Sequence, residues 1–310
     1  MQIMSLITAL PGAAAQGLIW GIMAIGVYIT FRILDIADLT VDGTLCTGGA
    51  VCIMMMLSGH NVWVSMLVAT GAGLLAGLAT GIFHTFMGIP AILAGILTQL
   101  SLYSVNLKIM GKANQAINVD KFNLLVSLRR VKGVALTQNT LFIVAIMIII
   151  LIAVLYWFFG TGLGCSLRAT GCNPNMARAQ GINTDFNKIL GLMLSNGIVA
   201  LAGALLAQYQ GSADINMGRG AIVIGLAAVI IGEAVFSRIS RNFIVRLLGV
   251  ICGGIIYYIV YQTVIFFGLD TDLLKMLSAL VVAFFLAVPY WKGKYISSGR
   301  RKGDGGNAGA

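Results

Sequence analysis

Apolar residues dominate this chain in long runs separated by short polar breaks. Nine runs cover approximately 8–30, 40–58, 62–83, 88–106, 139–160, 187–210, 220–236, 243–268 and 272–290. Several extend for ~18 or more residues without a charge, the length a helix needs to cross a bilayer. Backbone groups in hydrocarbon must find their partners inside the protein, so each run predicts a helix and not an open strand. The second, fourth and seventh runs are short or glycine-rich and predict broken or tilted helices. No Lys or Arg precedes Arg32, so the first run lacks the positive flank of a secretory signal and reads as a retained span. The fold class is all-α integral membrane, one polytopic domain over 1–291 followed by a basic tail over 292–310.

Composition supports this reading. Hydrophobic residues make up 59% of the 310 and charged residues 10%, too few charges to cover a soluble domain of this length. The net charge of +10 could point to nucleic acid. The basic residues, however, cluster between the apolar runs and in the tail, where they set topology, so the expected partner is the bilayer and not nucleic acid. The 39 glycines come without Ser or Pro enrichment, which suits close helix approach and not a linker. Lys292, Lys294, Arg300, Arg301 and Lys302 place the tail in the cytoplasm. Counting back, Arg238, Arg241 and Arg246, and then Arg168, Arg178 and Lys188, fall on the same side, with the N-terminus outside. The basic stretch 107–138 is an exception. The count makes it an extracytoplasmic loop, suited to meeting a partner there.

The chemistry-bearing side chains are sparse. The five cysteines form no framework; Cys165 and Cys172 share a cytoplasmic loop, 161–186, without metal-ligand spacing. His60 and His84 fall in short turns and read as solvated. No metal site and no cofactor is expected. Gly111-Lys112 is followed by Ala113, so no phosphate loop is present and ATP chemistry would have to come from another chain. Polar residues within spans are costly unless they face a cavity or a partner helix. Asp42, Gln99, Asn196, Gln208 and Gln262 are therefore candidates for a solute pathway, or for bonds that hold the bundle together.

Two motifs organise the chain. Asp38-Leu39-Thr40-Val41-Asp42-Gly43 resembles Asp214-Ile215-Asn216-Met217-Gly218-Arg219-Gly220. This suggests two inverted four-helix repeats around a central helix, a common way to build alternating access. Within 171–182, Asn173 reads as an N-cap, Pro174 as the first helical residue and Gly181 as a left-handed helix end. So short a helix must pack on something to persist.

The run Leu167-Arg168-Ala169-Thr170-Gly171-Cys172-Asn173-Pro174, with Ala177-Arg178 and Gly181-Ile182-Asn183, resembles the cytoplasmic coupling loop of the branched-chain amino acid and ribose permease family of ABC importers. Ser195-Asn196-Gly197, Ala202-Gly203-Ala204, the stretch Gly225–Glu233 and Asp38–Gly43 extend the likeness over most of the chain except 107–138. The looser likeness is to permeases for aromatic amino acids. The resemblance implies a type II importer-like architecture in the bacterial cell membrane. It further implies a second permease copy, more readily a homodimer than a heterodimer, two copies of a cytoplasmic ABC ATPase and an extracytoplasmic solute-binding protein. Asn173, Pro174, Ala177, Arg178, Gly181 and Ile182 would form the coupling helix in a groove of the ATPase. The expected function is import of a small solute, an amino acid before a sugar. An ion-coupled carrier is the competing reading, though its acids would lie near span ends; an intramembrane enzyme lacks its catalytic groups.

Overall fold

The structure is a computed structural model that describes residues 2–119, 122, 124–131, 139–236 and 242–266, and the helical residues 276, 279, 280, 283, 284 and 287. The side chains of residues 2–9, 129 and 130 are outside this set, as are Arg238, Arg241, the basic tail and most of the run 272–290. In chain order the elements are α1 (Gln2–Tyr28), a π-helical turn (Ile29–Ile33), α2 (Thr40–Leu57), α3 (Val62–Thr85), α4 (Ala91–Met110), β1 (Asn114–Ala116), a 3-10 turn (Leu128–Val131), α5 (Thr140–Gly160), α6 (Gly162–Cys172), α7 (Pro174–Ala179), α8 (Thr184–Gln210), β2 (Ser212–Asp214), α9 (Ala221–Phe236) and α10 (Phe243–Phe266).

Among the described residues seven helices are long and apolar enough to cross a membrane: α1 with its π turn, α2, α3, α4, α5, α8 and α10. The 16-residue α9 is apolar but shorter. Asparagine begins several helices. The side-chain oxygens of Asn61, Asn139 and Asn183 accept backbone N–H groups in the first turns of α3, α5 and α8. Each supplies an orphan donor with a partner where no preceding turn can. The interruption expected within the short runs lies instead at the end of α1. There Leu34 N–H reaches the Ile29 carbonyl and Ile36 N–H reaches that of Thr30, and the chain runs without helix to Thr40. The two strands, which the apolar pattern did not predict, pair antiparallel with Asn114 opposite Asp214. They join the stretch after α4 to the end of α8.

α1, α2 and α8 form the centre, with about three quarters of each span buried, whereas α4 and α5 are 22% buried. Small residues set the central seam. A Cβ on Gly48 of α2 would lie 2.0 Å from the Ala200 carbonyl oxygen of α8, and one on Gly203 of α8 would lie 2.0 Å from that of Leu45. On the other side of α8, a Cβ on Gly73 of α3 would meet Ala200 and Asn196 at 2.4 Å. The helices therefore touch backbone to backbone, where dispersion replaces the missing hydrophobic drive between spans.

A buried polar chain crosses the same seam. Asp38, 2% exposed, accepts Thr40 N–H at 2.9 Å and Asn196 Nδ2–H at 2.7 Å. Asn196 Oδ1 accepts the Thr44 hydroxyl at 2.7 Å. Thr40 and Thr80 hydroxyls lie 2.7 Å apart, and Thr80 donates to Thr98 at 2.9 Å, carrying the chain from α2 through α3 to α4.

Gly73→Leu is expected to abolish the well-folded detergent-solubilised protein or lower its melting temperature sharply, since overpacking costs roughly 1–3 kcal/mol or more. Gly71→Leu, with nothing within 4 Å of its Cβ position, is expected to leave it unchanged. Fluorescence-detected size exclusion after heating measures both. Asn196→Leu leaves one buried carboxylate oxygen without its donor and should cost about 1–3 kcal/mol. The exchanged pair Asp38→Asn with Asn196→Asp should melt above Asn196→Asp alone, which sets two carboxylates together; equal melting of the two would remove the assigned role of the bond.

Candidate functional site

Two regions carry polar groups that the packing alone does not consume. The first is the connection between α5 and α8, which holds the short helix expected within 171–182 and, before it, a further helix, α6, that was not expected. α6 holds Cys165 and Cys172, both free and exposed. Arg168 of α6 lies over the rings of Phe159 and Phe243, at 5.2 and 4.7 Å, which ties α6 to the end of α5 and the start of α10. α7 follows directly. Asn173 Oδ1 accepts Met176 N–H at 3.1 Å, Pro174 stands first in the helix, and Gly181 has φ +79°. Ile182 N–H returns to the Ala177 carbonyl at 3.0 Å and closes the turn.

Ala177 is buried against the protein, while Met176 beside it is 60% exposed. Arg178 donates through Nε to the Thr184 hydroxyl at 2.7 Å and through Nη2 to Asp185 Oδ1 at 3.1 Å. Arg178 therefore braces α7 onto the first turn of α8, where sequence reasoning had reserved it for another protein. Asn187 of α8 donates to Thr170 of α6 at 2.9 Å, so the three helices form one braced unit. Arg32 and Glu233 pair at 2.8 Å, joining the π turn after α1 to the end of α9.

The second region is a cavity of about 240 Å3 between α2, α4 and the turn after β2, with Asp42, Gln99, Tyr103, Asn106 and Arg219 in its wall. Asp42 Oδ2 accepts Gly220 N–H and Oδ1 accepts Ile222 N–H, both at 2.9 Å, so the carboxylate caps the start of α9. Gly218 sits directly on the Asp42 carbonyl, where a Cβ would be 1.9 Å away. These contacts hold the turn that carries Arg219 across the first turn of α2. Asn106, 1% exposed, donates to the Gly43 carbonyl at 3.4 Å, and its Oδ1 has no donor.

The five pathway candidates thus separate. Asp42 and Gln99 meet at the cavity. Asn196 belongs to the buried chain with Asp38 and Thr44. Gln208 is fully buried, accepting Leu125 N–H at 3.3 Å and donating to Cys52 Sγ at 3.5 Å. Gln262 lies apart, half-buried near the end of α10. Sequence reasoning did not single out Tyr103, Asn106 or Arg219. Tyr103 and Asn106 lie three residues apart on one helical face with Gln99, a spacing that could have marked them. The acids were placed near span ends, yet Asp38 is wholly buried beside α8. His60 is exposed in a turn, whereas His84 ends α3 and its Nδ1 lies 2.9 Å from the Ile89 carbonyl. Among the described residues no group of His, Cys, Asp or Glu is arranged to hold a metal ion.

Residues 10–286 match the family described as the branched-chain amino acid transport system / permease component. The chain is 40% identical over 273 residues to the tyrosine transport system permease protein of Clostridioides difficile (strain R20291), covering 88% of each. It is 27% identical over 270 residues to the galactofuranose transporter permease protein of Escherichia coli (strain K12), covering 86% of this chain and 75% of that one. One chain in the solved structure of PsaBC from Streptococcus pneumoniae in complex with Fab shares the fold, with a TM-score of 0.53 at 17% identity over 92% of this chain and 94% of that one. The long apolar helices, the family match and the relatives named as permeases agree: this chain belongs to the branched-chain amino acid permease family, a membrane-spanning transport subunit of an ABC-type system and not an enzyme.

Proposed function

We propose that this chain is the translocating subunit of an importer for an amino acid, delivered by an extracytoplasmic binding protein and driven by two cytoplasmic ABC ATPases. The observation that carries the solute class is the 40% identity to a permease named for tyrosine. A second observation supports a pathway. α4 exposes Ser101, Tyr103 and Ser104 among apolar residues that include Ile92, Leu97, Leu100 and Val105, and Gln99 is partly exposed beside them. α5 exposes Phe142, Ile146, Ile149, Ile150, Val154 and Trp157. Polar groups in hydrocarbon face a partner or water, so α5 suits lipid, and the polar stripe of α4 suits an aqueous path shared with a second copy of the chain.

The repeat reading gains support from local geometry. Asp38 and Asp214 each accept the N–H two residues onward, from Thr40 and Asn216. The residues four positions beyond each, Asp42 and Gly218, touch one another. α3 packs on α8 as α10 packs on α1, each through glycine. Asp38 is embedded, as an ion-coupled carrier would require. Its described bonds go to Thr40 and Asn196, which favours a structural role.

The braced unit of α6, α7 and the start of α8 is the coupling element in this reading. Met176 and Phe186, 60% and 52% exposed, supply apolar surface to dock an ATPase, and Arg178 transmits its movement to α8 as a rigid link. Basic residues put this end in the cytoplasm. The opposite end, with the β1–β2 ribbon and the described residues that follow α4, then faces outward toward the binding protein.

Gly181→Val should strain the end of α7 by about 1–3 kcal/mol, because a β-branched residue is forced to positive φ. Arg178→Glu sets a carboxylate beside Asp185. Both are expected to reduce substrate-stimulated ATP hydrolysis and uptake together in proteoliposomes, with the permease still folded. Arg178→Glu combined with Asp185→Arg should recover part of both. Parental transport rates in either single variant, with the complex intact, would overturn the coupling assignment.

For orientation, single cysteines at Ser58 and Gln180, with all five native cysteines replaced, should be labelled from opposite sides of intact cells. An impermeant maleimide should reach position 58 only. Labelling of both, or of 180 alone, contradicts the assignment.

A further inference from the structure

Resting on the reading of this chain as an amino-acid permease, we propose that the cavity between α2, α4 and the turn 215–220 is a binding site for an aromatic α-amino acid in its zwitterionic form. In this site Arg219 takes the carboxylate, and Asn106 Oδ1 and Asp42 take the ammonium.

The cavity presents fixed groups of both signs, and each has capacity to spare. Arg219 is exposed, lines the cavity and makes no ion pair among the described residues. Its planar fork matches a carboxylate with two parallel hydrogen bonds. Asn106 lines the cavity at 1% exposed, and its Oδ1 receives no hydrogen bond and has almost no accessible surface, so it meets the ammonium when its amide turns toward the cavity, which relieves an expensive arrangement. Each Asp42 oxygen accepts one backbone N–H and keeps a further lone pair. An ammonium carries three donors, enough for Asn106 Oδ1 and the carboxylate together.

The remaining wall is apolar. Tyr103 offers a ring, and Leu100 and Ile215 offer aliphatic surface. A ring gains area burial and favourable edge or offset contacts with Tyr103. At about 240 Å3 the volume lies below the range on the order of 300–1,000 Å3 that holds drug-sized molecules, so it suits a single small metabolite. A neutral sugar would gain no charge-assisted, two-pronged bond from Arg219. The described residues also offer no cluster of metal ligands.

The site is held by the fold and not by flexible loops. Asp42 anchors the start of α9 through Gly220 and Ile222, and Gly218 abuts the Asp42 carbonyl. Arg219 lies between these contacts. Its position relative to α4 is therefore set by the same carboxylate that meets the ammonium.

The test uses the complete permease–ATPase complex in detergent without binding protein, with radiolabelled L-tyrosine as the probe. Competitors are tyramine, which lacks the carboxylate, and 4-hydroxyphenylpropionate, which lacks the ammonium. Saturable tyrosine binding is expected, with each truncated analogue at least tenfold weaker. Arg219→Gln should collapse the tyrosine-to-tyramine ratio and leave the affinity of tyramine unchanged; Arg219→Lys should fall between. Asn106→Leu should weaken tyrosine and tyramine while sparing 4-hydroxyphenylpropionate. If that variant fails to fold, the Arg219 pair, on an exposed turn, still decides. An unchanged ratio in Arg219→Gln, or no saturable binding in the parent complex, overturns the site. ATP-driven tyrosine uptake by the parent complex with its binding protein separates the two levels. Uptake that persists while the ratio fails to move sinks the cavity alone, whereas absence of amino-acid uptake sinks the reading beneath it.

Discussion

The fold depends on the satisfaction of one buried carboxylate. Asp38 is wholly enclosed, and a carboxylate there costs several kcal/mol unless donors meet it. Its two bonds come from opposite parts of the chain, one from Thr40 at the start of α2 and one from Asn196 in the body of α8. Asn196 lies roughly 18 Å along α8 from Thr184, at 1.5 Å per residue. The break after α1 is thereby held beside the middle of α8 and not at its end. α2 follows in register with α8, and Gly48 and Gly203 let the backbones meet along the seam.

Asp42 repeats this logic one helical turn later with a different partner. It caps α9, just as Asp38 and Asn196 join α2 to α8. The two acids of one short motif therefore fasten the first part of the chain to two separate elements of the second. Between these attachments the structure leaves α4 lightly packed, with a cavity on its inner side. The rigid attachments and the open wall are products of the same segment, which is why the candidate solute site lies against the most constrained part of the bundle.

The connection between α5 and α8 obeys a related rule at one end of the molecule. α7 has six residues and cannot persist alone. Arg178 on Thr184 and Asp185, Ala177 against the protein, and Asn187 on Thr170 make it continuous with α8. α8 in turn carries Asn196, which bonds to Asp38, so the braced unit and the buried polar chain share one continuous helix.

Sequence alone determined the membrane class, the approximate position of the described spans, and the family. Those rest on run length, on the absence of charge within runs and on ordered motifs, all of which are local. It also located the local signals of α7, because an N-cap asparagine, a first-position proline and a left-handed glycine act within a few residues. Tertiary structure decided what the polar residues do. Asn196 and Gln208 look alike from sequence, each an amide in an apolar run, yet both are spent on bonds between distant elements. Gln99 lines a cavity with Asp42, and Arg219 joins them only because Gly218 can rest on the α2 backbone. α4 and α5 both read as apolar spans, and only packing assigns their exposed faces. The strand pair joins residues that are about 100 positions apart, which no periodicity reveals. Hydropathy measures how a segment partitions into a bilayer; which side chain meets which depends on contacts between segments, and those come into being only when the helices assemble.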